Sequence, residues 1–169
     1  MARPVKEYLY VDGYNVINAW NIFKDIDDLE YARDILIKTM IEYKHYTKIN
    51  VIIVFDAHMV KGNAGTKEVI DGVEVVFTEE NETADHYIEK SLEDNIFKKI
   101  RVATSDRMEQ QIILGKGGIR MSAKELEAEV AAYKRLVNYK IKKDKVKQKR
   151  SMGKLSENNL KALEKFLKE

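Results

Sequence analysis

The sequence predicts an α/β protein: a three-layer α/β/α sandwich around a mainly parallel central sheet, followed by a basic C-terminal helical extension. Three observations lead there. Short apolar runs alternate with helix-period segments over residues 8–121. The run at 51–55 is continuously apolar, as a central strand covered on both faces requires. Three of the runs lead directly into an aspartate: 8–11 into Asp12, 51–55 into Asp56, and 100–105 into Asp106. In open sheets of this kind the strand carboxyl ends are where ligands bind, and the crossovers between strands should be right-handed.

With 169 residues, 44% of them hydrophobic, the chain suffices for one domain with a core plus a tail. The expected division is a domain over 1–139 and a basic helical extension over 140–169. The absence of cysteine excludes a disulfide framework, a thiolate zinc site and a cysteine nucleophile. No apolar leader or membrane-length run is found, so a cytoplasmic protein is expected. The net charge of +2 conceals an asymmetry, because residues 134–150 carry nine lysines and arginines against the single acid Asp144. An acidic site with a basic arm suits a polyanion held by the arm and a cation held by the site; a solvated helix face is the plainer alternative.

In chain order, the first strand precedes the turn Gly13-Tyr14-Asn15, and Trp20 serves as an apolar anchor on the sheet. Asp27 with Glu30 reads as a capping box opening a helix whose Leu29, Ala32, Leu36, Met40 and Tyr43 face the core. The second strand starts at Val51. The glycine-rich stretch 57–67, which includes His58, reads as a mobile loop at the strand ends. A third strand over 73–77 is followed by a helix on which Ala84, Ile88, Leu92 and Ile96 keep helical spacing, with Asp85 in its first turn. After the fourth strand, Met108, Ile112 and Ile113 mark a short helix that stops at Gly115. Residues 119–121 form a small strand, and Ser122 with Glu125 opens a helix bearing Leu126, Val130, Tyr133, Val137 and Ile141. That helix is expected to break at residues 151–153, before a last amphipathic helix over 156–167.

Asp12, Asp56, Asp85 and Asp106 are the residues that suggest chemistry. Two unit charges about 4 Å apart repel by roughly 4 kcal/mol at an effective dielectric near 20, so several ionised carboxylates in one pocket need compensation. Either some are protonated or a cation is present. Oxygen-only donors favour Mg²⁺ or Mn²⁺, which can polarise a phosphoryl oxygen and lower the pKa of water, as phosphodiester hydrolysis requires. Taken singly, each aspartate also fits a turn or helix cap, Asp106 in particular. Asn15 is either a turn residue or an orienting group for Asp12 or a phosphate. Thr83 and Ser105 are caps or phosphate donors, and His58 is a proton shuttle or a surface residue. Tyr14 either packs in the core or stacks on a base. Lys116 and Arg120, beside glycines near the expected rim, are candidate phosphate contacts, although 115–118 lacks the spacing of a Walker loop.

Val11-Asp12-Gly13-Tyr14-Asn15, Val54-Phe55-Asp56-Ala57-His58, Glu82-Thr83-Ala84-Asp85 and Ala103-Thr104-Ser105-Asp106 together resemble the NYN-domain family, a branch of the PIN-like nucleases, and its bacterial YacP-like members above all. The resemblance spans residues 8–139. It implies a PIN-like sandwich and a Mg²⁺- or Mn²⁺-dependent endoribonuclease similar to ribosome-associated enzymes that cleave messenger RNA. By the same resemblance, Asp12, Asp85 and Asp106 ligate the metal, Asp56 matches the acid after the second strand, and Asn15 and Ser105 accompany the first and last acids. One departure concerns a glutamate that many PIN-like nucleases carry in the helical region between the first and third acids, for which only Asp56 stands near.

The expected partners are single-stranded RNA, messenger RNA above all, and the ribosome; neither DNA nor a membrane is expected. Lys142, Lys143 and Lys147 of the basic extension would track phosphates, making binding strongly salt-dependent. The competing readings are a non-catalytic RNA- or ribosome-binding module and a small-molecule phosphatase. The latter chemistry wants an Asp-x-Asp pair, and Tyr14 occupies the second place here.

Overall fold

A computed structural model describes residues 5–57, 65–95 and 98–168. His58, most of the glycine-rich stretch and Ile96 lie outside the described residues. In chain order the elements are β1 (Glu7–Asp12), α1 (Gly13–Ala19), a 3₁₀ turn (Asn21–Phe23), α2 (Leu29–Thr47), β2 (Asn50–Phe55), β3 (Thr66–Ile70), β4 (Val73–Phe77), α3 (Ala84–Asp94), β5 (Lys99–Ala103), α4 (Arg107–Gly115), β6 (Ile119–Met121) and α5 (Ala123–Leu167).

The six strands form one sheet in the order β3-β4-β2-β1-β5-β6, parallel except for β3, which pairs antiparallel with β4. The α/β class and mainly parallel sheet expected from alternation are therefore what the chain builds. Strand side chains alternate between faces, so β1 and β2 supply two cores. On one face Tyr10, Ile52, Val54 and Val102 pack with Ile88 and Leu92 of α3 and Ile113 of α4. On the other, Leu9, Val11 and Ile53 are fully buried, and α1 and α2 cover the sheet with Leu36 and Met40 at full burial. Register then sets the functional edge. Asp12 pairs with Val54 while Val11 pairs with Ala103, so Asp56 and Asp106 both follow the strand ends on either side of Asp12.

Trp20 is the expected anchor: it is buried, stacks on Phe23, and donates from Nε1 to the carbonyl of Ala123 at 2.8 Å. Ser122 and Glu125 form the reciprocal capping box, with Ser122 N–H to Glu125 Oε2 at 2.8 Å and Glu125 N–H to Ser122 Oγ at 3.0 Å. Arg101 of β5, Tyr43 of α2 and Glu129 of α5 close a further polar cluster, with Arg101 Nη1 3.2 Å from Glu129 Oε2.

Several expectations are corrected. The cap of α2 is Asp28, which accepts from Glu30 N–H at 3.0 Å and Tyr31 N–H at 3.2 Å; Asp27 lies one residue too early to reach them. Part of the stretch read as loop is β3, an exposed edge strand whose side chains carry no burial pattern. Its hairpin turn is Asp71-Gly72, both at positive φ (46° and 86°), the conformation that suits Asp-Gly in a two-residue turn. No break occurs at 151–153, because an isolated glycine costs a helix only about 1 kcal/mol and, without proline or a left-handed backbone, does not end it. On α4, Met108 and Ile112 are exposed; the buried residues are Glu109 and Ile113.

The chain divides into two compact units, the first ending at Val130 and the second beginning at Ala131. Composition puts the boundary at 139/140, whereas burial along α5 ends at Val130. Lys142, Lys143 and Lys147 lie in the second unit, all exposed. Among the described residues no helix is long and apolar enough to cross a membrane.

Candidate active site

Three of the strand-edge acids sit at helix starts, where backbone N–H groups and the helix dipole favour negative charge. Asp12 ends β1 and caps α1, with Asn15 N–H 3.5 Å from its Oδ1. Asp85 lies in the first turn of α3, which is capped by Thr83 through a 3.2 Å bond from His86 N–H. Asp106 caps α4, its Oδ1 accepting from Met108 N–H at 2.8 Å and Glu109 N–H at 3.2 Å.

Asp12, Asp56, Asp85 and Asp106 all line one open pocket of about 410 Å³, together with Tyr14, Asn15, Asn18 and Thr83. The tightest grouping within this edge, however, contains a residue the sequence reading passed over. Carboxylate oxygens of Asp12, Asp85 and Glu109 lie within 4.8 Å of one another. Glu109 is only 5% exposed, and neither of its oxygens has a hydrogen-bond partner among the described residues. A buried carboxyl with both oxygens unmet is costly unless something else satisfies them.

The protonation of this group reflects the crowding. Burial, and then the charge of Asp85, push the Asp12 carboxyl up to about 7; burial, with Asp12 and Asp85 nearby, pushes Glu109 up to about 9. An all-oxygen, three-carboxylate set with an orphaned buried member fits a hard divalent cation, which would replace the protons.

A stability prediction follows from these shifts. Both folded-state values lie above those of the unfolded chain, so the metal-free fold holds the extra protons. That contribution is complete below about pH 4 and is lost as pH rises through about 7 for Asp12 and about 9 for Glu109. The Tm of chelated protein is therefore expected to fall by roughly 5 °C or more between about pH 5 and about pH 9, and added Mn²⁺ to reduce the fall. A flat or rising Tm in chelator would contradict the assigned protonation.

Asn15 bridges two strand ends, its Oδ1 accepting from Ser105 N–H at 2.8 Å, and Ser105 Oγ accepts from Ala123 N–H at 3.2 Å. Both thus fix the loop that carries Asp106. Tyr14 is 8% exposed and its ring packs on Phe55 at 5.1 Å, so core packing uses the surface that stacking on a base would need. Arg120, on edge strand β6 beside Val102, reaches Gln110 Oε1 at 3.3 Å, and Gln110 holds the Thr104 carbonyl. Lys116 is not at the rim. It follows the C-terminal end of α4, opposite the end that Asp106 caps, and is engaged by Glu89 and Glu93.

A mainly parallel α/β/α sandwich with carboxylates converging on its strand ends is the arrangement of the PIN-like class of folds. Within that class the chain belongs to the YacP-like NYN domain family, whose profile matches residues 9–168. It is 47% identical over 166 residues to the YacP protein of Bacillus subtilis (strain 168), covering 95% of this chain and 96% of that one. The crystal structure of Rae1 (YacP) from Bacillus subtilis is similar with a TM-score of 0.73 at 46% identity, over 95% of this chain and 94% of that one. A tryptophan-to-leucine mutant of the same protein aligns with a TM-score of 0.70 at 47% identity, over 81% and 82%.

Proposed function

We propose that this protein is a Mg²⁺- or Mn²⁺-dependent endoribonuclease that hydrolyses phosphodiester bonds in single-stranded RNA, with messenger RNA on the ribosome as substrate, in the cytoplasm. The observation that carries this reading is the buried, unpartnered Glu109 within 4.8 Å of Asp12 and Asp85 at the strand edge of an NYN domain. A cation bound there supplies Lewis-acid polarisation of a phosphoryl oxygen and a lowered pKa for water.

Asp12, Asp85 and Glu109 would hold the ion, with Asp106 contributing from the same pocket through the oxygen that does not cap α4. Asp56 supports from the β2 side. Asn15 and Ser105 keep the Asp106 loop in place. Arg120 borders the strand edge on the β6 side, while Lys142, Lys143 and Lys147 bind phosphates of the message or of ribosomal RNA, giving affinity that falls steeply with salt.

The test is cleavage of end-labelled RNA by the intact protein, naked and on translating ribosomes, with Mg²⁺, Mn²⁺ or chelator. Internal cuts that appear with either metal and vanish in chelator are expected. Tight RNA binding with no cutting on any substrate would instead make the protein a binding module.

A further inference from the structure

We infer that Arg33, on α2, anchors a substrate phosphate beside the carboxylate pocket, through the edge of its guanidinium that the fold leaves free. This rests on the RNA-cleaving reading above. Arg33 Nη1 donates to the Tyr14 hydroxyl at 3.0 Å, and the guanidinium carbon lies 5.8 Å from the centre of the Phe77 ring. Tyr14 is itself part of the pocket wall that carries Asp12, Asp56 and Asp85. Phe77 ends β4, paired in register with Phe55, the residue before Asp56. Arg33 is thereby held on the Asp56 side of the strand edge, half-buried, by a hydroxyl and an aromatic face.

Among the described residues Arg33 makes no ion pair, although acids crowd the edge nearby. A half-buried cation whose polar and ring contacts among the described residues are a neutral hydroxyl and a phenyl face has unused N–H donors, in a planar fork that matches two phosphate oxygens. A pocket lined by four aspartates repels the RNA backbone, and a fixed cation on its wall offsets this for the phosphate next to the one cleaved. The same geometry gives Tyr14 its role: ring in the core, hydroxyl aiming Arg33.

The experiment measures binding of a short single-stranded oligoribonucleotide by fluorescence anisotropy, with Ca²⁺ in place of Mg²⁺ or Mn²⁺. One phosphate at a time is replaced by a neutral methylphosphonate. Wild type should lose about tenfold or more in affinity at one particular position, and Arg33→Gln should lose a similar factor on unmodified RNA while becoming indifferent to that position. Arg33→Lys should recover part of the affinity, and Tyr14→Phe, which retains the ring, should raise KM more than it lowers kcat. The inference is overturned if Arg33→Gln shows the wild-type positional profile, if its losses are uniform along the RNA, or if wild type binds no RNA. Wild type that shows the positional loss yet cuts nothing with Mg²⁺ or Mn²⁺ would defeat the nuclease reading and leave Arg33 as an RNA anchor.

Discussion

Glu109→Gln is expected to reduce metal-dependent RNA cleavage by at least a hundredfold, on the order seen when groups around a metal are lost, and to do so without unfolding the protein. The two side chains have nearly the same shape. In the metal-free fold at neutral pH the carboxyl is already neutral, its pKa pushed up to about 9 by burial, so the amide replaces one uncharged, unpartnered group by another. Stability in chelator should change by no more than about 1 kcal/mol near pH 4, where the carboxyl is protonated in both the folded and the unfolded chain. Two readouts then separate a metal-holding role from a structural one. Wild type should gain several degrees in Tm on addition of Mn²⁺, and the variant little; in chelator the variant should become progressively more stable than wild type as pH rises from about 4.5 to about 9, because it has no proton to take up on folding and no charge to bury. Asp106→Asn makes an instructive comparison, since asparagine caps a helix as well as aspartate does and any loss there reports on the site, not on α4. Wild-type cleavage rates in Glu109→Gln would remove Glu109 from the site and, with it, the observation that carries the proposed chemistry.

Why Glu109 escaped the sequence while Asp12, Asp56, Asp85 and Asp106 did not is a matter of which distances the chain controls. Acids that terminate apolar runs are visible because strand, turn and acid are contiguous, and register across a parallel sheet then brings the ends level. Glu109 sits in the first turn of α4, where an acid ordinarily reads as a dipole or capping residue. In a capping box it would reach back to the N–H of Asp106, yet that N–H donates to Thr104 Oγ1 at 3.2 Å. Its burial comes from the packing of α3 against α4, a contact between segments that local periodicity does not encode. The same limit hid β3, which is exposed from Thr66 to Val69 and is a strand because β4 lies beside it. The Asp71-Gly72 turn was the available signal for that hairpin. For Glu109 there was no local signal: Met108, Ile112 and Ile113 read as the buried stripe, and the structure instead exposes Met108 and Ile112 and buries Glu109.

Gly13→Ala is expected to destabilise the protein by about 3 kcal/mol, a Tm lower by roughly 6–12 °C, although alanine is the better helix former and Gly13 opens α1. The propensity gain is outweighed by a collision. A Cβ at position 13 would lie 2.3 Å from Cε1 and 2.4 Å from Cδ1 of Phe55. That ring has little room to yield: it is fully buried, with the Tyr14 ring at 5.1 Å and the Phe77 ring at 5.3 Å from it. Relief therefore requires movement of α1 or of the end of β2, and these are the segments that carry Asp12 and precede Asp56. Cleavage should consequently fall further than the folded fraction does, because displacements of ångström size around a reacting group can cost about a hundredfold. Phe55→Leu shortens the obstructing ring, so the double variant should be more stable than the sum of the two single changes predicts, with a coupling of about 1–2 kcal/mol. Simple additivity in that cycle would mean that the close approach of Gly13 to Phe55 does not decide the residue at position 13, and that the turn between β1 and α1 tolerates a side chain there.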